Sequence, residues 1–292
     1  MITIDDALSL FLVQLEADGR STHTIGQYRR HVRALARWLA VERLPLDVGA
    51  ITHEDVATFM TSSTARCRPD GVPKTATSTN ALRTSLRGFF GHCHEAGYIP
   101  ANPTRLLRRA LCSPPPPRAL TDDEQRRLLE VLDGDGSYEA RRDAALVRVM
   151  LGTGLRLSSA LALRFEDVDL VAREVTIRSA KGDRPDRLPI SREVTRVLTD
   201  WIGERTEGAL FCSRSGWSLC PRHVQRRFRK AIEAAGITRA ASPHSLRHSF
   251  ATRLYARTGD LGLVQAALRH RSIASTMVYA RVDGERLRAA IE

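Results

Sequence analysis

Six residues of this 292-residue chain carry side chains suited to covalent or acid–base chemistry, in contexts that set them apart. They are Arg156 after the glycine turn of "TGLRLS", Lys181 in the turn-forming "KGDRPD", His244 and Arg247 in "SPHSLRHSF", His270, and Tyr279 nine residues later. A phenolate can attack an electrophile and form a covalent intermediate. Two guanidiniums can clamp anionic oxygens with paired hydrogen bonds and stay charged at any working pH. Lysine can give up a proton, which arginine does not do. His244 and Arg247 are three apart, so a helix there would put them on one face. Taken singly, each residue has an ordinary reading: an arginine in a surface ion pair, a lysine in a solvated turn, a histidine satisfied in a core, a tyrosine packed near a chain end. His248 adjoins Arg247 and is read as structural.

The composition says what kind of partner to expect. The formal net charge is +12, and only Lys74, Lys181 and Lys230 of the 45 basic residues are lysines. Residues 1–112 carry 14 basic and 10 acidic side chains, net +4; the remainder carry 31 and 23, net +8. Both halves are basic, which points to a polyanion and most simply to nucleic acid. Five cysteines with no CxxC pair predict reduced thiols in a cytoplasmic protein. The acidic start "MITIDDALSL" has no basic n-region, and no apolar run approaches a membrane span. "HCH" at His92–His94 lacks a second ligand pair at zinc spacing and is read as structural. No metal or cofactor is expected.

The elements that must hold these residues follow from periodicity. Ile4, Leu8, Phe11, Leu12 and Leu15 form one helical stripe, and Ile25, Tyr28, Val32, Leu35 and Leu39 a second. "THED" at Thr52–Asp55 predicts a helix start, and Leu82, Leu86, Phe89, Phe90 and Cys93 mark a further helix ending at Gly97. The four prolines Pro114–Pro117 predict a stiff extended linker. The expected domains are an all-α unit over 1–112, a linker over 113–118, and an α+β unit over 119–292. The second unit opens with the capping box "TDDE" and holds three short β-prone runs, around Val168–Leu170, Val175–Ile177 and Arg187–Ile190. These predict a small antiparallel sheet in a mainly helical domain, with Lys181 at a hairpin tip.

The combination "TGLRLS", "HSLRHSFAT" and His-x8-Tyr resembles the tyrosine recombinases, or phage integrase family, over nearly the whole chain. "STHTIGQYRRHVRALARWL" and the closing "NP" resemble that family's SAM-like core-binding domain. The resemblance implies an all-α core-binding domain followed by a tyrosine-recombinase catalytic domain, the two clamping double-stranded DNA. It implies Tyr279 as the nucleophile, a 3′-phosphotyrosyl link and a 5′-hydroxyl leaving group. It assigns Arg156 and Arg247 to the phosphate oxygens and Lys181 to protonating the leaving oxygen. It gives His244 acid–base work and His270 a hydrogen bond to the scissile phosphate. Because the bond is conserved in the protein, neither metal nor ATP is needed. A homotetramer, or a heterotetramer with a related recombinase, would exchange strands on two sites through a Holliday junction. The layout is that of a simple Xer-like or mobile-element recombinase, and the tail over 284–292 would dock on a neighbouring protomer. Three positions depart from the family pattern: Ser159 stands where an acid is usual, Arg269 where glycine usually precedes the histidine, and Ala280-Arg281 where Thr-His often follows the tyrosine. Two rival readings share the sequence features: a relative that only binds DNA, and a type IB-like topoisomerase.

Overall fold

Residues 1–112, 118–178, 186–269 and 273–279 are described by the computed structural model. The chain divides into two units, Met1–Ser113 and Pro114–Glu292.

In the first unit, the two predicted stripes become α1 (Ile4–Ala17) and α2 (Thr22–Val41). The Thr3 and Ser21 hydroxyls cap them, accepting from the backbone N–H of Asp6 and Thr24. Both helices pack on α5 (Ala76–Glu95) around the fully buried Leu35, Leu39, Leu86, Phe89 and Phe90. Thr52 starts α3 (His53–Thr61) with the reciprocal capping box that "THED" predicts. A short α4 (Ser63–Arg66) follows, which the periodicity did not reveal. Ser62 both ends α3 and caps α4 with its hydroxyl, so the two share one residue and no turn signal separates them. Cys93 is in the core, and burial pushes its thiol up to about 12. His92 lies among Phe11 and Tyr98, with ring centroids 5.1 and 6.1 Å away.

In the second unit, α6 (Asp122–Gly134) opens on the predicted Thr121–Glu124 capping box. It packs on α7 (Tyr138–Thr153), the central helix, most of whose residues are buried. Arg142 is fully buried on α7 and bridged to Asp143, which also receives Arg227 from α10 (Pro221–Ala234). A buried charge of this kind is tolerated because it is paired and hydrogen-bonded. Gly154 ends α7 at φ +67°, where a Cβ would lie 2.4 Å from the Phe250 ring. Only glycine makes this turn without a clash.

After the turn come α8 (Leu157–Leu161) and the sheet β1 (Val168–Asp169), β2 (Glu174–Ile177) and β3 (Asp186–Pro189). The strands run antiparallel in the order β1-β2-β3, with Val175 opposite both Val168 and Leu188. Val175 and Leu188 are buried and anchor the sheet to the core. Among the described residues, the helical first unit and the mainly helical second unit with its small antiparallel sheet agree with the predicted fold class. α9 (Arg192–Ile202) and α11 (Pro243–Thr258) cover α7. α12 (Leu261–Leu268) and a single helical turn at Met277–Tyr279 form a smaller cluster with α11, through Ala251, Val264, Leu268 and Tyr279. Among the described residues, no helix is long and apolar enough to cross a membrane.

Candidate active site

The site is built where the end of α7, the start of α11 and the Met277–Tyr279 turn meet. The Gly154 turn reverses the chain and leaves Arg156 in extended backbone at the cap of α8, with its side chain exposed and making no capping bond. Pro243 begins α11, and the Ser245 hydroxyl accepts from the Ser242 N–H at 3.2 Å. That start puts Arg247 on the inward face of the helix, only 3 % exposed. Its Nη1 donates to the Gly154 carbonyl at 2.6 Å, and its Nη2 donates to the Leu268 carbonyl. One guanidinium therefore ties α11 to the turn before α8 and to the end of α12.

The electrostatics are those of an anion site. Arg247 is pushed down to about 10, first by burial and then by the Arg156 charge; Arg269 adds to the effect, while Tyr279 opposes it. It is still protonated at neutral pH. Among the described residues, neither Arg156 nor Arg247 makes an ion pair with a carboxylate. Two like charges brought together without a protein counter-charge suit an anionic ligand.

Tyr279 is 8 % exposed. Its hydroxyl lies 2.8 Å from Nδ1 of His248. Burial raises the phenol above its ordinary value, and the Arg247 charge partly offsets this. His244 sits at the surface end of the same helix face, its ring edge-on to that of His248 with centroids 4.7 Å apart. Partial burial, then the charges of Arg247 and Arg156, lower the pKa of His244.

Of the six residues singled out from sequence, the structure brings together Arg156, His244, Arg247 and Tyr279. Lys181 and His270 lie outside the described residues. The contact that sequence reasoning missed is His248. The available signal was its spacing: four residues after His244, it lies on the same helix face.

Two departures from the family pattern also have a structural setting. Ser159 is half-buried on α8, at the third helical position after Arg156. Arg269 ends α12 at φ +53°, a left-handed conformation that favours glycine. Its guanidinium pairs with the Asp186 carboxylate at the start of β3 and donates to the Asp186 carbonyl at 3.3 Å.

Comparison with known proteins bears on the family and the fold. The model of the phage integrase family matches residues 118–286, and that of the phage integrase N-terminal SAM-like domain matches residues 8–95. The chain is 30% identical over 288 residues to tyrosine recombinase XerC of Chromobacterium violaceum, covering 97% of this chain and 92% of that protein. Among solved structures, XerH site-specific recombinase bound to its difH substrate superposes with a TM-score of 0.74 at 23% identity, over 100% of this chain and 84% of that one. A lambda integrase tetramer bound to a Holliday junction gives a TM-score of 0.73 at 20% identity, over 93% and 78% of the two chains.

Proposed function

We propose a residue-level mechanism from the premise that this chain belongs to the phage integrase family and is a site-specific tyrosine recombinase, an enzyme that breaks and rejoins DNA strands. The observation that carries the mechanism is a buried tyrosine beside the charge of Arg247, which itself lies beside that of Arg156, with no carboxylate paired to either arginine among the described residues.

Double-stranded DNA is the substrate, and its scissile phosphate occupies the space between Arg156 and Arg247. The Tyr279 oxygen attacks phosphorus in line, forming a 3′-phosphotyrosyl bond as the bond to the 5′ oxygen breaks. The guanidiniums hold the non-bridging oxygens, where negative charge builds up in the transition state. Lys181 protonates the leaving oxygen, and His270 donates a hydrogen bond to the phosphate. The 5′-hydroxyl of the partner strand reverses the chemistry, so the bond energy is never lost and neither metal nor ATP takes part.

Strand exchange needs two sites and four protomers, and the recombinase works as a tetramer on paired duplexes. The lambda integrase tetramer on a Holliday junction, a protein of this fold, supports that assembly. The C-terminal residues 284–292, outside the described residues, serve as the contact to a neighbouring protomer. Deleting them should lower cooperative assembly on DNA in a gel-shift titration, and unchanged complex formation would overturn this reading. The enzyme works in the cytoplasm, in keeping with its five free thiols.

The decisive experiment is incubation with a nicked suicide duplex. Wild-type protein should give an SDS-resistant adduct, and Tyr279→Phe should bind DNA but give none. Recombination between paired sites then separates a recombinase from a topoisomerase. A DNA-binding role without cleavage is favoured by one observation, the uncharged Ser159 on α8. Gel-shifted complexes without adduct from the wild-type chain would establish that reading instead.

A further inference from the structure

We propose that His248 is the proton acceptor for the nucleophile: its Nδ1 takes the Tyr279 proton as the phenol oxygen attacks, and returns it when the strand is rejoined. The inference rests on the reading of Tyr279 as the nucleophile. It moves the proton-transfer role away from His244, to which family resemblance gives the acid–base work.

The geometry comes first. A candidate base must lie within hydrogen-bond reach of the proton it takes, and Nδ1 of His248 is 2.8 Å from the hydroxyl oxygen. That contact lets the phenol donate, with the imidazole proton on Nε2. The His248 ring packs against both His244 and Tyr279, with centroids 4.7 and 5.6 Å away, and it is His248 that makes the hydrogen bond to the phenol. The phenol also needs a base. Burial holds it in its protonated form, and the nearby Arg247 charge offsets this only in part.

The step balances. The O–H bond of Tyr279 breaks and its proton passes to Nδ1, giving an imidazolium. The oxygen–phosphorus bond forms while the bond to the 5′ oxygen breaks. The leaving oxygen takes its proton from a different donor, Lys181 in the mechanism above. In the reverse direction Tyr279 leaves phosphorus and recovers its proton from His248, so nothing is consumed.

The surroundings explain why the transfer waits for DNA. Among the described residues, His248 meets the His244 ring and the Tyr279 hydroxyl, Arg247 precedes it on its own helix, and the charges of Arg156 at the start of α8 and Arg269 at the end of α12 act on Arg247. Three of these are cations. An imidazolium is costly beside them until a phosphate supplies the counter-charge.

The test is single-turnover adduct formation on the nicked duplex, followed from acidic to alkaline pH. The proteins are wild type, His248→Asn and Tyr279→Phe. Asparagine can keep an acceptor oxygen near the position of Nδ1 but cannot carry the proton. His248→Asn should lose roughly 10²-fold or more in rate at neutral pH, the scale of general-base catalysis. It should also lose the fall in rate at low pH that a titrating base imposes. Replacing Tyr279 in this variant by a fluorinated tyrosine, whose phenol ionises more readily, should restore most of the rate. A packing role would not respond to phenol acidity. Wild-type rate with an unaltered pH profile, or a loss that fluorotyrosine does not repair, would overturn the proposal. Tyr279→Phe separates the two levels. An adduct from that variant means the nucleophile reading fails. No adduct from it, beside an unimpaired His248→Asn, means only the base assignment fails.

Discussion

The guanidinium of Arg247 donates to the carbonyl of Gly154, 93 residues earlier in the chain, at 2.6 Å. A second nitrogen does the same for Leu268. The side chain is thus held rigid before any DNA arrives, and its remaining N–H groups are already aimed. Lysine has a single nitrogen and cannot satisfy two carbonyls while presenting a planar fork to phosphate. Arg247→Lys should therefore lower the adduct rate by roughly 10²–10³-fold, the cost of one preorganised donor. Gel-shift affinity should change little, because the substitution keeps the positive charge. Parallel losses in binding and cleavage would contradict this account.

Arg156 caps α8 without a side-chain acceptor for the helix's first N–H groups. Ser159 is at the third helical position, where an acid can reach back to the cap and also favours the helix N-terminus. Ser159→Asp should stabilise the catalytic unit by about 0.3–1 kcal/mol. It should also keep or raise the adduct rate, since it fixes the backbone that carries Arg156. A lower melting temperature would show that the half-buried site has no room for a carboxylate.

Much of this architecture was legible because it is local. Thr52, Thr121 and Pro243 each announce a helix start in a few residues, and all three start one. The β-prone runs around Val175 and Arg187 are found as paired strands with their ends shifted by a residue. What could not be read depends on docking. His244 and His248 share a helix face, but which ring meets Tyr279 is decided by how the Met277–Tyr279 turn settles on α11. The α4 turn was hidden because one serine serves two helices. Arg269 showed only as an odd residue in place of glycine; its left-handed backbone and its pairing with Asp186 are tertiary facts.

Arg269 sets backbone strain against an ion pair. A non-glycine residue in the left-handed region costs roughly 1–2 kcal/mol. Its carboxylate partner, Asp186, is 58% exposed at the side chain, and a pair of that kind contributes about 0–1 kcal/mol. The strain is the larger effect. Arg269→Gly should leave thermal stability unchanged or raised, while Asp186→Asn, which keeps the strain and removes the attraction, should lower it slightly. A clear loss of melting temperature in Arg269→Gly would mean that the link from α12 to β3 outweighs the strain.

The Glu124–Arg239 pair makes a prediction about acid stability. Arg239 binds the Glu124 carboxylate and also the Ala119 carbonyl, and Glu124 accepts from the Thr121 N–H at 2.8 Å. These contacts, the Arg239 hydrogen bond foremost, hold Glu124 down at about 2, against an ordinary value of 4.5. A carboxylate whose pKa is depressed on folding stabilises the fold fully above its unfolded value. That contribution is lost as pH falls from there through the folded value. Glu124→Gln keeps the shape and removes the charge. At neutral pH it should cost roughly 1.5–3 kcal/mol, as for a charged hydrogen bond. The gap in melting temperature between wild type and Glu124→Gln should then shrink as pH is lowered from about 5 towards 2, since over that range the unfolded carboxylate takes up its proton while the folded one does so only near the lower end. A gap that stays constant through the acid range would place the stabilisation in packing rather than in charge.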